Sequence, residues 1–148
     1  MRVALSADHA GAALKAELLR RLAAANLGHA LVDLGGDGSD PNDDYPDFAR
    51  RLGHAIREGQ ADRGILICGS GVGASVAANK IRGVRAAVCH DTYSAHQGVE
   101  HDDMNVLTLG ARMLPESRAR EIVKAFLETP FEGGRHFGRV QKIHAIEN

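Results

Sequence analysis

The 148-residue chain contains no tryptophan, two tyrosines and four phenylalanines. Single-stranded nucleic acids bind largely by stacking bases on aromatic side chains, so this composition leaves few stacking platforms. Clustered positive charge is also lacking, because 18 Lys and Arg residues are offset by 19 Asp and Glu residues, for a formal net charge of -1. Nucleic-acid binding needs a basic face. The sequence therefore predicts small-molecule partners and no nucleic acid.

Long apolar runs are also missing, and no segment approaches the roughly 18 apolar residues of a membrane span. The N-terminal residues reach Asp8 before a signal-like apolar stretch or a small-residue cleavage site develops, so no export signal is predicted. Cys68 and Cys89 form neither a disulfide framework nor a zinc motif, which favours a reducing compartment. We expect a cytoplasmic protein without a membrane partner, folded as a single domain over residues 1–148.

Short apolar runs alternate with amphipathic stretches along the chain, which is the pattern of βαβ units with a parallel sheet. Strands are predicted at residues 2–6, 30–34, 64–68, 84–89 and 106–109. Helices are predicted after the first strand, from Pro46, from about Val72, at residues 92–98 and after Pro115. A basic tail, predicted to be helical from about Arg135, completes an α/β chain with five parallel strands.

In an open parallel sheet, ligands bind outside the carboxyl ends of the strands. The residues that follow the predicted strands are therefore candidates for a site, and they include Asp8, His9, the segment 68–73, the segment 89–91 and Arg112. We expect these side chains and backbone groups to converge at one edge of the sheet.

The segment from Cys68 to Gly73 is the strongest local indication of a functional site. Its alternate glycines, Gly69, Gly71 and Gly73, let a backbone approach a ligand and aim N–H groups at negative charge. A helix that begins there also favours the thiolate form of Cys68, as a base or nucleophile. A buried, inert cysteine is the alternative, and the local pattern leaves both open. Cys89 lacks such a turn and is predicted to pack in the core.

Several named motifs fail at this loop. Ala74 stands where a cysteine phosphatase needs an arginine, and Cys68 stands where the nucleophile elbow G-x-S-x-G needs a glycine. No phosphate-binding G-x-x-x-x-G-K-[ST] pattern is present. A dinucleotide site stays open, because Gly69 and Gly71 begin a G-x-G pattern and Asp91 follows the next strand. That pattern, however, follows the third strand rather than the first.

Eight histidines are present, but the spacings of His90, His96 and His101 match no metal motif, so no metal site is predicted. His101 lies in a polar segment ahead of the fifth strand, predicted to be a loop near the active edge, where a general acid would fit. Arg135 and Arg139 lie one helical turn apart, and they are either a phosphate clamp or a solvated cationic face.

Taken together, five segments resemble ribose-5-phosphate isomerase type B, of the ribose/galactose isomerase family. They are Asp8-His9-Ala10-Gly11, Asp44-Tyr45-Pro46, the run from Gly64 to Gly73, Ala78-Asn79-Lys80 and Gly133-Gly134-Arg135-His136. The resemblance runs in the same order from the first strand to the basic tail. It implies a Rossmann-like three-layer α/β/α domain and a homodimer whose active sites take residues from both subunits, with a dimer of dimers left open.

The resemblance implies a metal-independent aldose–ketose isomerase that acts through an enediolate without a cofactor, with ribose 5-phosphate as the leading substrate. Cys68 would be the base that moves the proton. The developing oxyanion would be stabilised by Ser70 and the loop residues Gly69, Gly71, Val72 and Gly73. His101 would open the sugar ring with help from Asp8. The remaining pocket residues would be the phosphate ligands His9, Arg135 and Arg139 and the lining residues Tyr45, Arg112 and His136.

The chain departs from the family after the ring-opening histidine, where Asp102 stands in place of the usual asparagine. A carboxylate only accepts hydrogen bonds and would repel an anionic intermediate. This change puts the sugar preference in doubt more than the reaction class. Other tetrose, pentose or hexose phosphates therefore remain open. A non-catalytic sugar-phosphate or nucleotide-binding domain and a dinucleotide-binding module are the alternatives from other functional classes.

Overall fold

The computed structural model describes residues 1–147. The five strands are β1 (Arg2–Ala7), β2 (Ala30–Asp33), β3 (Arg63–Cys68), β4 (Ala86–Val88) and β5 (Val106–Gly110). The helices of the described chain are α1 (Ala12–Ala25), α2 (Tyr45–Arg57), α3 (Val72–Ala78), α4 (Thr92–Asp102), α5 (Glu116–Glu128) and α6 (Arg135–Ile146). Within residues 1–147, no helix has the length and apolar character needed to cross a membrane.

The strands form one sheet in the order β2-β1-β3-β5-β4, and every neighbouring pair is parallel. The middle strand, β3, has Ile65, Leu66 and Ile67 fully buried. Such a continuous apolar run arises because helices cover both faces of a parallel sheet. The predicted α/β class with a five-stranded parallel sheet is confirmed.

Two apolar clusters fill the space between the sheet and its helices. Leu18, Val99 and Phe126 place α1, α4 and α5 on one face of the sheet. Leu52 and Ala74 place α2 and α3 on the other face, and α6 packs against α4. This arrangement is the predicted three-layer α/β/α sandwich with a C-terminal basic helix.

Helix α4 is longer than the sequence pattern predicts, and it continues past Gly98 to Asp102. Glycine weakens a helix interior, which is why an end was predicted there. In the structure, a β-carbon on Gly98 would approach the sulfur of Met104 to 3.1 Å, so the glycine makes room for packing. The helix ends instead at Asp103, which has a φ of 49°. The prediction that His101 lies in a loop is therefore wrong.

Strand β4 is shorter than predicted, with three residues in place of six. The backbone N–H of Arg85 donates to the side-chain oxygen of Asn105 rather than to a strand. Cys89, just beyond the strand, is buried in the cluster that contains Phe126. Its predicted place in the core is confirmed.

The connections that leave β1 and β3 run to opposite faces of the sheet. After β1 the chain enters α1, and after β3 it enters α3, which lies on the other face. Because β1 and β3 are neighbours, their carboxyl ends open a crevice between the two departing loops. Ligands bind at such switch points in open α/β sheets.

Candidate active site

The crevice at the carboxyl ends of β1 and β3 has a volume of about 320 Å³. It is lined by Asp8, His9, Ala10, Tyr45, Cys68, Gly69, Ser70, Gly73, Arg112 and Met113. All but Ala10 and Met113 were predicted from the sequence. A second groove of about 380 Å³, between α1 and α5, is lined mainly by aliphatic side chains and exposed charges. Only the first brings together a thiol, a hydroxyl, a carboxylate, an imidazole and a guanidinium.

Cys68 is the last residue of β3 and only 3% exposed. The backbone N–H of Gly71 donates to its Sγ at 3.2 Å. This hydrogen bond fixes the position of the sulfur among the residues that line the crevice.

The other thiol is in a different environment. Burial, with a smaller contribution from the charge of Asp91, raises the pKa of Cys89 to about 11. Cys89 therefore stays a neutral thiol near pH 7. Cys68, in contrast, lines the crevice and accepts a hydrogen bond from its loop.

The loop after β3 has its shape because of close contacts on both sides. Gly71 has a φ of 81°, a left-handed conformation that favours glycine. Its carbonyl accepts a hydrogen bond of 2.9 Å from the buried hydroxyl of Thr108 on β5. A β-carbon on Gly73 would lie 2.5 Å from the ring of Tyr45. Thr108 was missed, because a threonine in mid-strand carries no sequence signal of a loop contact.

Two backbone N–H groups of this loop hold its own side chains in place, and the first of them is the Gly71 donor to Cys68. Val72 donates its N–H to Ser70 Oγ at 3.3 Å, which leaves the hydroxyl proton of Ser70 free to donate elsewhere. The guanidinium of Arg112 lies against Gly69, since a β-carbon there would be 2.8 Å from Nη1. The arrangement presents hydroxyl and guanidinium donors beside the Cys68 sulfur, which suits a developing oxyanion.

His9 is held at the crevice by Asp43. The Nδ1 atom of His9 lies 2.7 Å from Oδ1 of Asp43, and the His9 backbone N–H donates to the same oxygen at 2.8 Å. The hydrogen bond to Asp43 raises the pKa of His9 above its usual value, and the charge of Asp8 adds to the effect. Asp43 was missed because the preceding loop contains several aspartates that the sequence does not distinguish.

Asp8 is buried at the end of β1, with an exposed fraction of 6%. Its Oδ1 accepts the N–H of Gly11 at 3.0 Å, at the beginning of α1. The carboxylate is thereby fixed next to His9 and across the crevice from Cys68. Because Arg112 brings a positive charge to the crevice, an anionic ligand can bind there despite this carboxylate.

The other predicted site residues lie elsewhere in the same chain. None of His101, Asp102, Arg135, His136 and Arg139 lines the crevice. Helix α4 ends just before the first residue of β5, whereas Cys68 pairs with the last residue of that strand. At about 3.3 Å per residue, the two ends of β5 are roughly 13 Å apart. The prediction that His101 lies near the active edge of its own sheet is therefore wrong.

Two of these five residues, His101 and His136, meet where α4 packs against α6. The rings of His101 and His136 stack, with centroids 4.0 Å apart and planes 11° apart. Oε2 of Glu132 lies 3.9 Å from Nε2 of His101 and 3.2 Å from Nε2 of His136. Glu132 was not predicted as a site residue. Arg135 and Arg139 are exposed on α6, and Asp102 lines a separate depression.

Helix α6 is tied to the rest of the chain at its far end. Nη1 of Arg85 lies 3.0 Å from Nε2 of His144, and Glu147 accepts the backbone N–H of Gly83 at 2.8 Å. These contacts fix the helix, so Arg135 and Arg139 project from a rigid support.

The His9–Asp43 contact generates a direct prediction. Replacing Asp43 by Asn keeps an oxygen for the His9 backbone N–H but removes the negative charge, so the pKa of His9 should fall. The midpoint of the His9 ring-proton signals in an NMR pH titration reports this change, with the signals identified by their loss in His9→Gln. Asp47→Asn, at an exposed aspartate of α2, is the matched control. An unchanged midpoint in Asp43→Asn would show that Asp43 does not control the charge of His9.

Comparison with known proteins places the chain in a family. The sequence pattern of the Ribose/Galactose Isomerase family matches residues 3–143. The chain is 44% identical over 146 residues to ribose-5-phosphate isomerase B of Escherichia coli, covering 99% of this chain and 96% of that protein. It is 40% identical over 148 residues to D-erythrulose-4-phosphate isomerase of Pectobacterium atrosepticum, covering 100% and 96%.

A solved structure extends the comparison to the fold. The chain matches ribose-5-phosphate isomerase B of Mycoplasma genitalium with bound ribulose-5-phosphate, at a TM-score of 0.91 and 41% identity, over 97% of this chain and 94% of that one. Sequence and fold agree over almost the full length of the chain. The chain therefore belongs to the ribose/galactose isomerase family.

Proposed function

We propose that this protein interconverts ribose 5-phosphate and ribulose 5-phosphate through an enediolate, without a metal ion or cofactor, with Cys68 as the base. The observation that carries the proposal is the buried Cys68 sulfur, hydrogen-bonded to the Gly71 N–H at 3.2 Å in a crevice with anion-binding groups. Full-length similarity to isomerases of sugar phosphates supports the reaction class.

The reaction moves one proton between two carbons. In the open-chain aldose, the Cys68 thiolate takes the proton from C2, and the electrons of that bond form the C1–C2 double bond of the enediolate. The negative charge develops on the oxygen at C1, beside Ser70 and the loop amides of Gly69, Gly71, Val72 and Gly73. The Cys68 thiol then returns the proton to C1, while the proton of the O2 hydroxyl passes to the oxygen at C1, so that C2 becomes the ketone carbonyl and C1 carries a hydroxyl.

Ring opening and phosphate binding need residues from two groups. The first group lines the crevice, and the second consists of the predicted site residues on α4 and α6. His101, assisted by Asp8, would transfer the proton that opens the sugar ring. The phosphate would be held by His9, Arg135 and Arg139, and Tyr45, Arg112 and His136 would line the rest of the pocket. Binding a phosphate away from the reacting carbons supplies energy for orienting C1 and C2. The two groups lie apart in one chain, so this proposal requires two chains.

We therefore infer a homodimer in which α4 and α6 of one chain complete the crevice of the other, with further pairing into a dimer of dimers left open. Large apolar side chains are exposed beside both groups, Val72 and Val76 on α3 and Phe137 on α6. Contiguous exposed apolar surface commonly marks an interface. A two-fold interface uses the same surface on both chains, so one contact would complete two sites.

The same proposal treats the whole chain as one sugar-phosphate isomerase domain that acts in the cytoplasm. Two free cysteines, one of them as the base, are compatible with a reducing compartment. The alternative of a non-catalytic domain would give binding of ribose 5-phosphate without turnover, and a dinucleotide-binding module would bind a nicotinamide cofactor.

The first test is the conversion of ribose 5-phosphate to ribulose 5-phosphate with a chelator present. We expect Cys68→Ala to reduce kcat by at least about 100-fold, because general acid–base catalysis contributes that much. Cys89→Ala is the matched control and should keep most of the activity, since Cys89 is a core thiol. An active Cys68→Ala variant would remove Cys68 as the base, and an inactive unmodified protein would remove the substrate assignment.

The shared site predicts complementation between inactive variants. Cys68→Ala chains have a defective crevice but an intact His101, and His101→Ala chains have the reverse. In a mixed dimer, one crevice has both groups, so random equal mixing should restore about a quarter of the native activity. Activity is measured after co-expression and purification, against each variant alone. If mixing restores nothing, each site is formed within one chain.

Asp102 predicts altered sugar selectivity. The carboxylate would contact sugar hydroxyls or the developing charge in the completed crevice, and a polar contact of this kind can discriminate strongly between sugars. We expect Asp102→Asn to change the ratio of kcat/KM for ribose 5-phosphate to that for a tetrose phosphate, such as D-erythrulose 4-phosphate. Asp103→Asn is not a suitable control, because Asp103 pairs with Arg85; Asp47→Asn serves instead. An equal ratio in both variants would remove Asp102 as a selectivity determinant.

A further inference from the structure

Three potential metal ligands converge where the end of α4 meets the beginning of α6. A ring nitrogen of His101, a carboxylate oxygen of Glu132 and a ring nitrogen of His136 all lie within 4.8 Å of one another. Imidazole nitrogens and carboxylates are ligands that Zn²⁺, Co²⁺ and Ni²⁺ accept. No sequence motif predicts this set of three ligands, because Glu132 and His136 lie more than 30 residues after His101 in the chain.

His136 provides an independent sign of a ligand. It is only 1% exposed, and within residues 1–147 neither of its ring nitrogens makes a hydrogen bond. Its Nε2 faces Oε2 of Glu132 at 3.2 Å, without the alignment of a hydrogen bond. A buried polar atom without a partner is costly. A cation between Nε2 and the carboxylate would satisfy both groups.

The distances fit a small tetrahedral ion. Bonds of about 2.0–2.1 Å in a tetrahedron place neighbouring ligand atoms roughly 3.3–3.4 Å apart. The distances of 3.2 Å and 3.9 Å from Glu132 to the two histidines lie on either side of this value. The lone pair of an imidazole lies in the ring plane, so His101 must tilt out of its stack with His136. The His101 side chain is 31% exposed and has room to do so.

Neighbouring groups support the site from outside. The side-chain nitrogen Nε2 of Gln97 lies 3.1 Å from Nδ1 of His101. When a metal binds, turning this amide about its last bond would bring its oxygen to the ring, where it would accept the Nδ1 proton and leave the Nε2 lone pair for the metal. Oε2 of Glu100 lies 3.6 Å from His101 Nε2 and adds negative charge.

We propose that His101, Glu132 and His136 form a binding site for a divalent transition-metal cation such as Zn²⁺, and that the bound cation inhibits the isomerase. The inhibitory half rests on the proposed function, in which His101 is the acid that opens the sugar ring in the partner's crevice. A cation on Nε2 removes the proton that His101 would donate. The cation is therefore a reversible inhibitor and not a cofactor of the reaction.

Cobalt binding tests the site without reference to activity. The full-length protein is titrated with Co²⁺, and the visible absorption of the bound ion is followed. We expect one Co²⁺ per chain, without a near-ultraviolet thiolate-to-cobalt band, and an unchanged spectrum in Cys68→Ala. Glu132→Gln should weaken binding by at least about tenfold, whereas Glu128→Gln, at an exposed glutamate of α5, should not. No saturable binding, equal affinity in Glu132→Gln, or a thiolate band lost in Cys68→Ala would overturn the site.

Inhibition is measured separately with Zn²⁺ and reversed with a chelator. Measured against its own uninhibited activity, Glu132→Gln should need a Zn²⁺ concentration for half-inhibition that is higher by the same factor as its loss of Co²⁺ affinity. Equal Zn²⁺ sensitivity of the native protein and this variant would overturn the inhibitory role while leaving the cobalt result in place. If the native protein has no isomerase activity, the proposed function and the inhibitory role fail together, and Co²⁺ binding alone decides the site.

Discussion

The hydrogen bond from the Gly71 amide to the Cys68 sulfur joins the sheet to its candidate chemistry. It requires the left-handed turn at Gly71, and that turn is held from β5 by the Thr108 hydroxyl. In the same loop the Val72 amide donates to Ser70, and Arg112 and Tyr45 pack against the glycines. The buried parallel sheet thus supports the loop that aligns the Cys68 thiol with its hydrogen-bond donors. Precise geometry is easiest to maintain on such a rigid support.

The sequence was most informative where local patterns and packing agree. Buried central strands must be continuously apolar, and β3 satisfies this at Ile65, Leu66 and Ile67, so its position and the functional loop after it were predictable. The errors occurred where tertiary contacts override local preference. Gly98 has the character of a helix end, but the contact with Met104 explains the glycine, and α4 continues for another turn.

The candidate site shows the same division. Residues that directly follow strands, such as Asp8 and Cys68, were predictable because strand ends meet at one edge of a parallel sheet. Asp43 and Thr108 were not, because each acts through a contact far away in sequence and has an ordinary local context, and Glu132 was not, because it joins its neighbour His136 to the distant His101. His101 was placed at the wrong edge, although the predicted order already implied the right one, because a helix that leads into a parallel strand ends at the amino end of that strand.

The contact between Tyr45 and Gly73 has a consequence for how the family can vary. The tyrosine ring occupies the space of any side chain at position 73, with its hydroxyl oxygen 2.8 Å from where a β-carbon would stand. A methyl group there would force the ring out of the crevice, whereas a smaller residue at position 45 would relieve the constraint. The two positions should therefore change together over evolution, although 28 residues of sequence separate them.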